Sequence, residues 1–345
     1  MTFTLRWFGP DDPVTLDAIR QVPGVDGIVT ALHDVPAGTA WAPAAVRERV
    51  GLLADHGFRW TVAESVPIPD AVKLGDPPRD EQVDAFRRSL RALADANVRV
   101  VCYNFMPVID WFRSELHAPV GDGSTAMRYR QTDVDALDLA SGLPRLAAWN
   151  RGFDGPELAR RIDRFAERGP EGLRTALASF LADVVPVAEE VGIRLALHPD
   201  DPPWPILGIP RIAGTHDDLR WILALDDRAA HGLTFCTGAL GALPDADLPA
   251  MATDLAQRIQ FLHARNIRHE GERSFLETAH LRRDGDLNLP AVLDALLSTG
   301  FDGPIRPDHG RTLFGEPGLP GYGLVDRAIG LGYLRGVVEG RALRR

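Results

Sequence analysis

The stretch VGIRLALHPDDPP (Val191–Pro203) decides the fold. It opens at the end of a helical pattern, Leu173–Val191, whose apolar residues recur at three- and four-residue spacing. The chain turns at Gly192 and runs through the apolar segment IRLALH. It then breaks into acids and prolines. A continuous apolar run of this length, bounded by a glycine and a polar cluster, reads as a parallel strand covered on both faces. His198 sits at its carboxyl end.

The same unit recurs on both sides. VRVVCYNF (Val98–Phe105) has the same character, and the sequence predicts strands at Thr4–Phe8, Asp26–Leu32, Arg59–Glu64 and Arg99–Asn104. Further strands are expected at Arg194–His198, Leu233–Thr237, Gln260–His263 and Pro304–Asp308. Helical patterns lie between them. Pro43–His56 starts with proline in its first turn and stops at Gly57. Asp80–Ala96, Asp217–Leu225, Leu248–Gln257, Pro290–Ser298 and Val325–Val338 follow the same logic. Strand–helix alternation repeated about eight times predicts an α/β protein, a closed (β/α)8 TIM barrel. A doubly wound open sheet is the competitor, but no GxGxxG turn follows the first strand.

One stretch departs from the alternation. Residues 106–168 form a connection far longer than usual after the fourth strand. It holds WFRSELHAPVGDGS (Trp111–Ser124), DALDLASGLP (Asp135–Pro144) and a charged helical piece. It reads as an insertion over the barrel mouth, a lid or an oligomer contact, within a single domain spanning 1–345.

Composition narrows the partners. The chain has 345 residues, 45% hydrophobic and 25% charged, with a net charge of −10 and no basic run. Nucleic-acid binding needs a concentrated positive footprint, so that class is excluded. No apolar run is long enough to span a bilayer, and the amino-terminal residues lack a secretory pattern. Two cysteines, Cys102 and Cys236, give no disulfide framework. These features predict a soluble cytoplasmic protein, with no membrane or nucleic-acid partner.

Active sites of such barrels lie at the carboxyl ends of the strands. Here every end carries a polar side chain: Arg6 and Trp7, His33 and Asp34, Glu64, Asn104, His198, Cys236, His263 with Arg265, and Asp308 with His309. Buried strands pay heavily for unpaired polar groups, so packing alone explains such a ring badly. His198, Cys236, His263 and Asp308 come from four successive strands and predict a divalent metal site with an open position. By softness alone the thiolate favours zinc.

Blander readings apply to several residues. His33 is as readily a hydrogen-bonded core residue as a ligand, and Cys102, inside an apolar run, reads as an inert thiol. Glu64 can pair with a neighbouring arginine, and Asn104 can satisfy a loop backbone. Trp7 can simply cover the barrel mouth. His56, His117, His216, His231 and His269 read as surface residues.

The strand-end segments RWFGPDDPV, GIVTALH, ESVPI, VCYNFMPVIDW, HPDDPP, PILGIPRI, FCTG and PDHG together resemble the bacterial D-mannonate dehydratase family, from Arg6 to about Val338. That resemblance implies a xylose-isomerase-like barrel converting D-mannonate to 2-keto-3-deoxy-D-gluconate and water. The alternatives are dehydration of another aldonic acid, or a metal-dependent sugar isomerase or epimerase. The resemblance implies a divalent metal, manganese in most relatives and iron(II) otherwise, against the zinc preference. It maps the metal ligands to His198, Cys236, His263 and Asp308, and the catalytic pair to His309 and Tyr322. Arg6, Trp7, Asn104, Arg265 and Arg311 are candidates for gripping the polyol and its carboxylate, arginine being suited to bidentate contacts. A homo-oligomer, a dimer in the simplest case, is expected. The insertion is shorter than in many relatives, and HARNIRHEGERSF (His263–Phe275) replaces a simpler pattern. With the loop GEPGLPGYG (Gly315–Gly323), that segment is where substrate preference could differ.

Overall fold

The structure, a computed structural model, describes residues 1–138 and 155–343. Its centre is a closed barrel of parallel strands. They are β1 (Thr2–Arg6), β2 (Gly27–Thr30), β3 (Trp60–Glu64), β4 (Val100–Tyr103), β7 (Arg194–Leu197), β8 (His231–Cys236), β9 (Ile259–Ala264) and β12 (Pro304–Pro307). Each follows its predecessor around the ring, and β1 closes it by pairing with β12. All eight expected strands are present, their ends displaced by at most two residues. Valines and other branched residues dominate these runs because they pack well on a pleated surface covered on both sides.

The barrel interior is solid. Val29, Val62, Val100, Cys102, Ala196 and Phe261 fill it as one buried cluster. Fully burying a side chain of the valine or phenylalanine class stabilises by about 1.5–3 kcal/mol. The residues that follow on the inward face therefore have only the open mouth to occupy. Register then aligns them. Cys236 lies opposite His263 on β8 and β9, Arg306 lies opposite His263 on β12, and Glu64 lies opposite Cys102 on β3 and β4.

The outer helices form where apolar spacing predicts them. Pro43–Asp55 starts with proline and is followed by Gly57 at φ +81°. The expected helix at Leu173–Val191 is the second part of a longer one, Gly155–Val191, kinked at Gly169 (φ 65°). The expected segment Asp135–Pro144 lies largely outside the described residues.

A second sheet is a feature that the strand–helix alternation does not anticipate. The strands β5 (Glu115–Pro119), β6 (Thr125–Arg130), β10 (Asn266–Gly271) and β11 (Ser274–Thr278) pair antiparallel in the order β10-β11-β6-β5. One hairpin belongs to the long connection after β4, and the other follows β9 directly. Tyr129 stacks on Phe275 across the two hairpins, ring centres 5.7 Å apart, and Trp204 packs edge-on against Tyr129. Offset and edge-to-face aromatic contacts of this kind add to the burial of the rings themselves.

One surface expectation is corrected. His231 is not on the surface but begins β8, fully buried, with Nε2 2.9 Å from the Ile222 carbonyl oxygen. The strand starts two residues before the apolar run that marks it, so its first residue is drawn under the preceding helix. Burial pushes the His231 pKa down, keeping the ring neutral.

Candidate active site at the barrel mouth

The ends of β7, β8 and β9 bring the donor atoms of His198, Cys236 and His263 within 4.8 Å of one another. His198 Nε2 is 3.2 Å from His263 Nδ1. From β12, Asp308 Oδ2 stands 3.8 Å from both Cys236 Sγ and His263 Nδ1. Two imidazoles, a thiol and a carboxylate therefore meet in a buried space. The other face of the His263 ring looks at Glu64, with Nε2 3.4 Å from Glu64 Oε2.

Electrostatics favour the ligating form of the sulfur. Burial alone would raise the Cys236 pKa, but Arg265 and His198 outweigh it and bring it down to about 5. Burial would likewise lower His198, yet the sulfur and nearby acids raise it to about 9. Asp308 is buried, which opposes its charge, but Arg306, His309 and His263 hold its carboxyl well below the usual range. Asp308 Oδ1 and His263 Nε2 have no well-aligned hydrogen bond among the described residues. Without an ion the Cys236 sulfur and His198 thus form a thiolate–imidazolium pair, and a divalent cation would take the place of the His198 proton; donors of these types fit such a cation.

Beside this cluster stands a hydrogen-bonded row. Tyr322 Oη lies 2.9 Å from His309 Nε2, and His309 Nδ1 lies 2.9 Å from Glu277 Oε1 on β11. Trp111 covers the His309 ring at 4.9 Å between centres. Burial pushes the Tyr322 hydroxyl up, so it holds its proton unless a partner takes it. Glu64, Asn104, His198, Asp308, His309 and Tyr322 line a narrow cavity of about 40 Å³. A larger one of about 880 Å³ shares its Ser65, Asn104, Met106 and Asp110 walls and also carries Lys73, Arg160 and Arg161.

Residues 1–343 match the family described as D-mannonate dehydratase (UxuA). The chain belongs to the D-mannonate dehydratase family. It is 44% identical over 341 residues to mannonate dehydratase 2 of Halalkalibacterium halodurans, covering 98% of this chain and 99% of that protein. The mannonate dehydratase of Streptococcus suis serotype 2 superposes with a TM-score of 0.92 at 38% identity, over 99% of this chain and 96% of that one. A xylose isomerase-like TIM barrel protein from Mycobacterium smegmatis shares the fold at a TM-score of 0.54 and 18% identity, over 94% and 88% of the two chains. The barrel class expected for a mannonate dehydratase is thus the one found.

In this member of the dehydratase family, the residues expected to grip substrate fall into different places. Asn104 lines the narrow cavity and donates to Asp110 Oδ2 at 2.9 Å. Arg6 is buried beneath the mouth, donating to the Glu64 carbonyl at 3.1 Å and pairing with its carboxylate at 3.4 Å. Arg265 is fully buried and engaged with Asp201, Glu277 and Asp308 at 2.6, 2.6 and 3.1 Å. Trp7 does not line the cavity and lies against the Arg49 guanidinium, 5.2 Å from its ring. Arg311 also lies outside the cavity walls and ties Asp326 to Asp122, at 2.9 Å each.

Four residues at the mouth were not singled out by sequence: Arg113, Asp201, Glu277 and Arg306. Arg113 makes a bidentate pair with Asp201, 2.9 Å on each arm, and also reaches Glu277 at 2.7 Å. Arg306 bridges Glu64 at 2.9 Å and Asp308 at 2.7 Å. For Glu277 and Arg306 the signal was a charge embedded in a short strand, SFLET (Ser274–Thr278) and PIRP (Pro304–Pro307). A buried ion must be paired, but the run does not name its partner.

Proposed function

We propose that this chain removes water from D-mannonate to give 2-keto-3-deoxy-D-gluconate, using a divalent cation held by His198, Cys236, His263 and Asp308. Manganese is the first choice of ion, and iron(II) the second. The observation that carries the reading is the adjacency of two groups: the buried imidazole–thiol–carboxylate cluster, and the pair formed by Tyr322 with His309, the residue that follows Asp308. When bound, the cation supplies Lewis acidity to the substrate carboxylate and 2-hydroxyl, where negative charge develops as the C2 proton leaves.

The chain's own residues do the remaining work. One member of the His309–Tyr322 pair relays the C2 proton, and the other assists departure of the C3 hydroxyl, each contributing about 10²–10⁴-fold. Asn104 at the cavity wall is placed to bind a polyol hydroxyl. The larger cavity mixes Lys73, Arg160, Arg161 and Arg164 with Asp70, Asp110 and Glu157, so its basic groups outnumber its acids by one on the approach of an anionic substrate. Arg6 and Arg265 act from behind the cluster by fixing Glu64 and Asp308, and Arg311 ties the chain just after His309 to Asp326.

Residues 106–168 are read as part of the one barrel domain. Among the described residues no helix is long and apolar enough to cross a membrane. Cytoplasmic residence and assembly into a homo-oligomer complete the proposal.

The test is incubation of D-mannonate with the manganese-loaded protein, alongside other aldonic acids. A 2-keto-3-deoxy acid lighter by one water is expected. A product of unchanged mass would place the chain with isomerases or epimerases instead.

A further inference from the structure

We propose that Glu277, on the hairpin outside the barrel, is a positioning residue for the dehydration. It holds His309 as the Nδ1–H tautomer, leaving Nε2 to accept the Tyr322 hydroxyl proton. The inference rests on the dehydratase reading above and assigns a role within that site.

The argument is one of donors and acceptors. Glu277 Oε1 receives Arg113 Nε at 2.8 Å, Arg265 Nη1 at 2.6 Å and His309 Nδ1 at 2.9 Å. A guanidinium can only donate, and a carboxylate held by two of them is ionised, so it can only accept. His309 Nδ1 must therefore carry hydrogen. In the neutral ring, the form that acts as a base, Nε2 is then a lone pair, and its partner at 2.9 Å is the Tyr322 hydroxyl, which donates to it. When the proton crosses, the Tyr322 O–H bond breaks and an Nε2–H bond forms. The products are a phenolate and an imidazolium, and the imidazolium is stabilised by the Glu277 carboxylate. Tyr322 gains the activation that a buried, weakly acidic hydroxyl lacks, and no proton is created or lost.

The surroundings make the arrangement rigid. Glu277 and Arg265 are fully buried, and Asp201 binds both Arg113 and Arg265, so the two arginines and two acids compensate one another. The carboxylate is thus locked in place before any substrate arrives, as an orienting group requires. It comes from β11 and Arg113 from the connection after β4, so the second sheet serves the barrel site directly.

Removing the carboxylate makes a definite prediction. Without Glu277 the remaining polar neighbour of His309 Nδ1 among the described residues is Arg265 Nη1 at 3.4 Å. A donor facing Nδ1 turns it into an acceptor, so the hydrogen moves to Nε2 and the Tyr322 relay reverses. Glu277→Gln behaves differently: three donors still converge at one point, so the amide must present its carbonyl oxygen there and Nδ1–H is retained.

The experiment measures kcat and KM on D-mannonate with manganese-loaded wild type, Glu277→Gln and Glu277→Leu. It also records imidazole 15N spectra of the zinc-loaded proteins, zinc being diamagnetic and suited to these donors. His309 is assigned by its loss in His309→Asn. Wild type and Glu277→Gln should show a hydrogen on Nδ1, and Glu277→Leu on Nε2. The Gln variant should lose roughly tenfold in kcat and the Leu variant about 10³–10⁴-fold, the scale of a misplaced tautomer, with KM within about twofold. Equal kcat in all three proteins overturns the proposal while leaving the dehydratase reading intact; absence of wild-type turnover overturns the reading and the proposal's basis together. Should the Leu variant fail to fold, the wild-type spectrum decides alone, since hydrogen on Nε2 there refutes the assignment.

Discussion

The barrel and the small antiparallel sheet at its mouth contribute opposite kinds of chemistry. The ends of β7, β8, β9 and β12 carry imidazoles, a sulfur and a carboxylate whose electron pairs are incompletely used. The sheet carries Glu277, and the connection that leads into it carries Arg113. The charges of both are consumed by Arg265 and Asp201. A region that is to hold a cation must keep lone pairs available. A region that is to orient its neighbour must have its charges compensated and fixed. On this reading the barrel binds and the sheet aims.

The comparison breaks most directly at the cation. Chelating the protein should lower turnover of D-mannonate by at least about 10³-fold, the scale of several kcal/mol of charge stabilisation. Added manganese should restore it. Cys236→Ser should show weakened metal retention when metal content is measured after dialysis. Full activity in chelated protein would remove the functional distinction between the two regions.

Next comes the pair between them. His309→Asn and Tyr322→Phe should each lower kcat by about 10²–10⁴-fold while metal content stays at the wild-type level. Equal losses of metal would mean that the pair belongs to the cation cluster and not beside it.

The sheet's side is probed through stability. Arg113→Met leaves Asp201 and Glu277 buried with one guanidinium fewer, and should destabilise by about 3–5 kcal/mol in denaturant unfolding. Acid gives a milder test. Burial would raise the Glu277 pKa, but His309, Arg113 and Arg265 bring it down to about 2 from an ordinary 4.5. A carboxylate depressed on folding stabilises fully above its unfolded value, and that stability is lost as pH falls through its folded one. Between pH 4.5 and about 2, then, wild type should lose stability more steeply than Glu277→Gln. The smallest effect on turnover is expected at Arg311. Its guanidinium is spent on Asp326 and Asp122, so Arg311→Ala should leave KM within about twofold of wild type, while the buried Asp326 carboxylate it leaves without that partner lowers the unfolding midpoint.

Much was legible in the order of residues. Apolar runs punctuated by glycine and proline report burial locally, strand by strand, and so predicted the parallel barrel and the polar ring around its open end. His198, Cys236, His263 and Asp308 stand out because each polar group follows such a run. Assigning roles to them came from the family resemblance. The hairpins were missed because NIRHEG and SFLET are short and charged, and each pairs with a strand that local periodicity cannot identify.

What tertiary structure alone decided is who pairs with whom. Arg113 meets Glu277 across 164 residues of chain, and Arg265 meets Asp201 across 64. Trp7 and Arg311 turned from the cavity to other partners for the same reason. Burial leaves a repeating trace in sequence because every residue of a strand reports its own face. An ion pair leaves none, because its energy depends on a distance between two loops that only the closed barrel brings together.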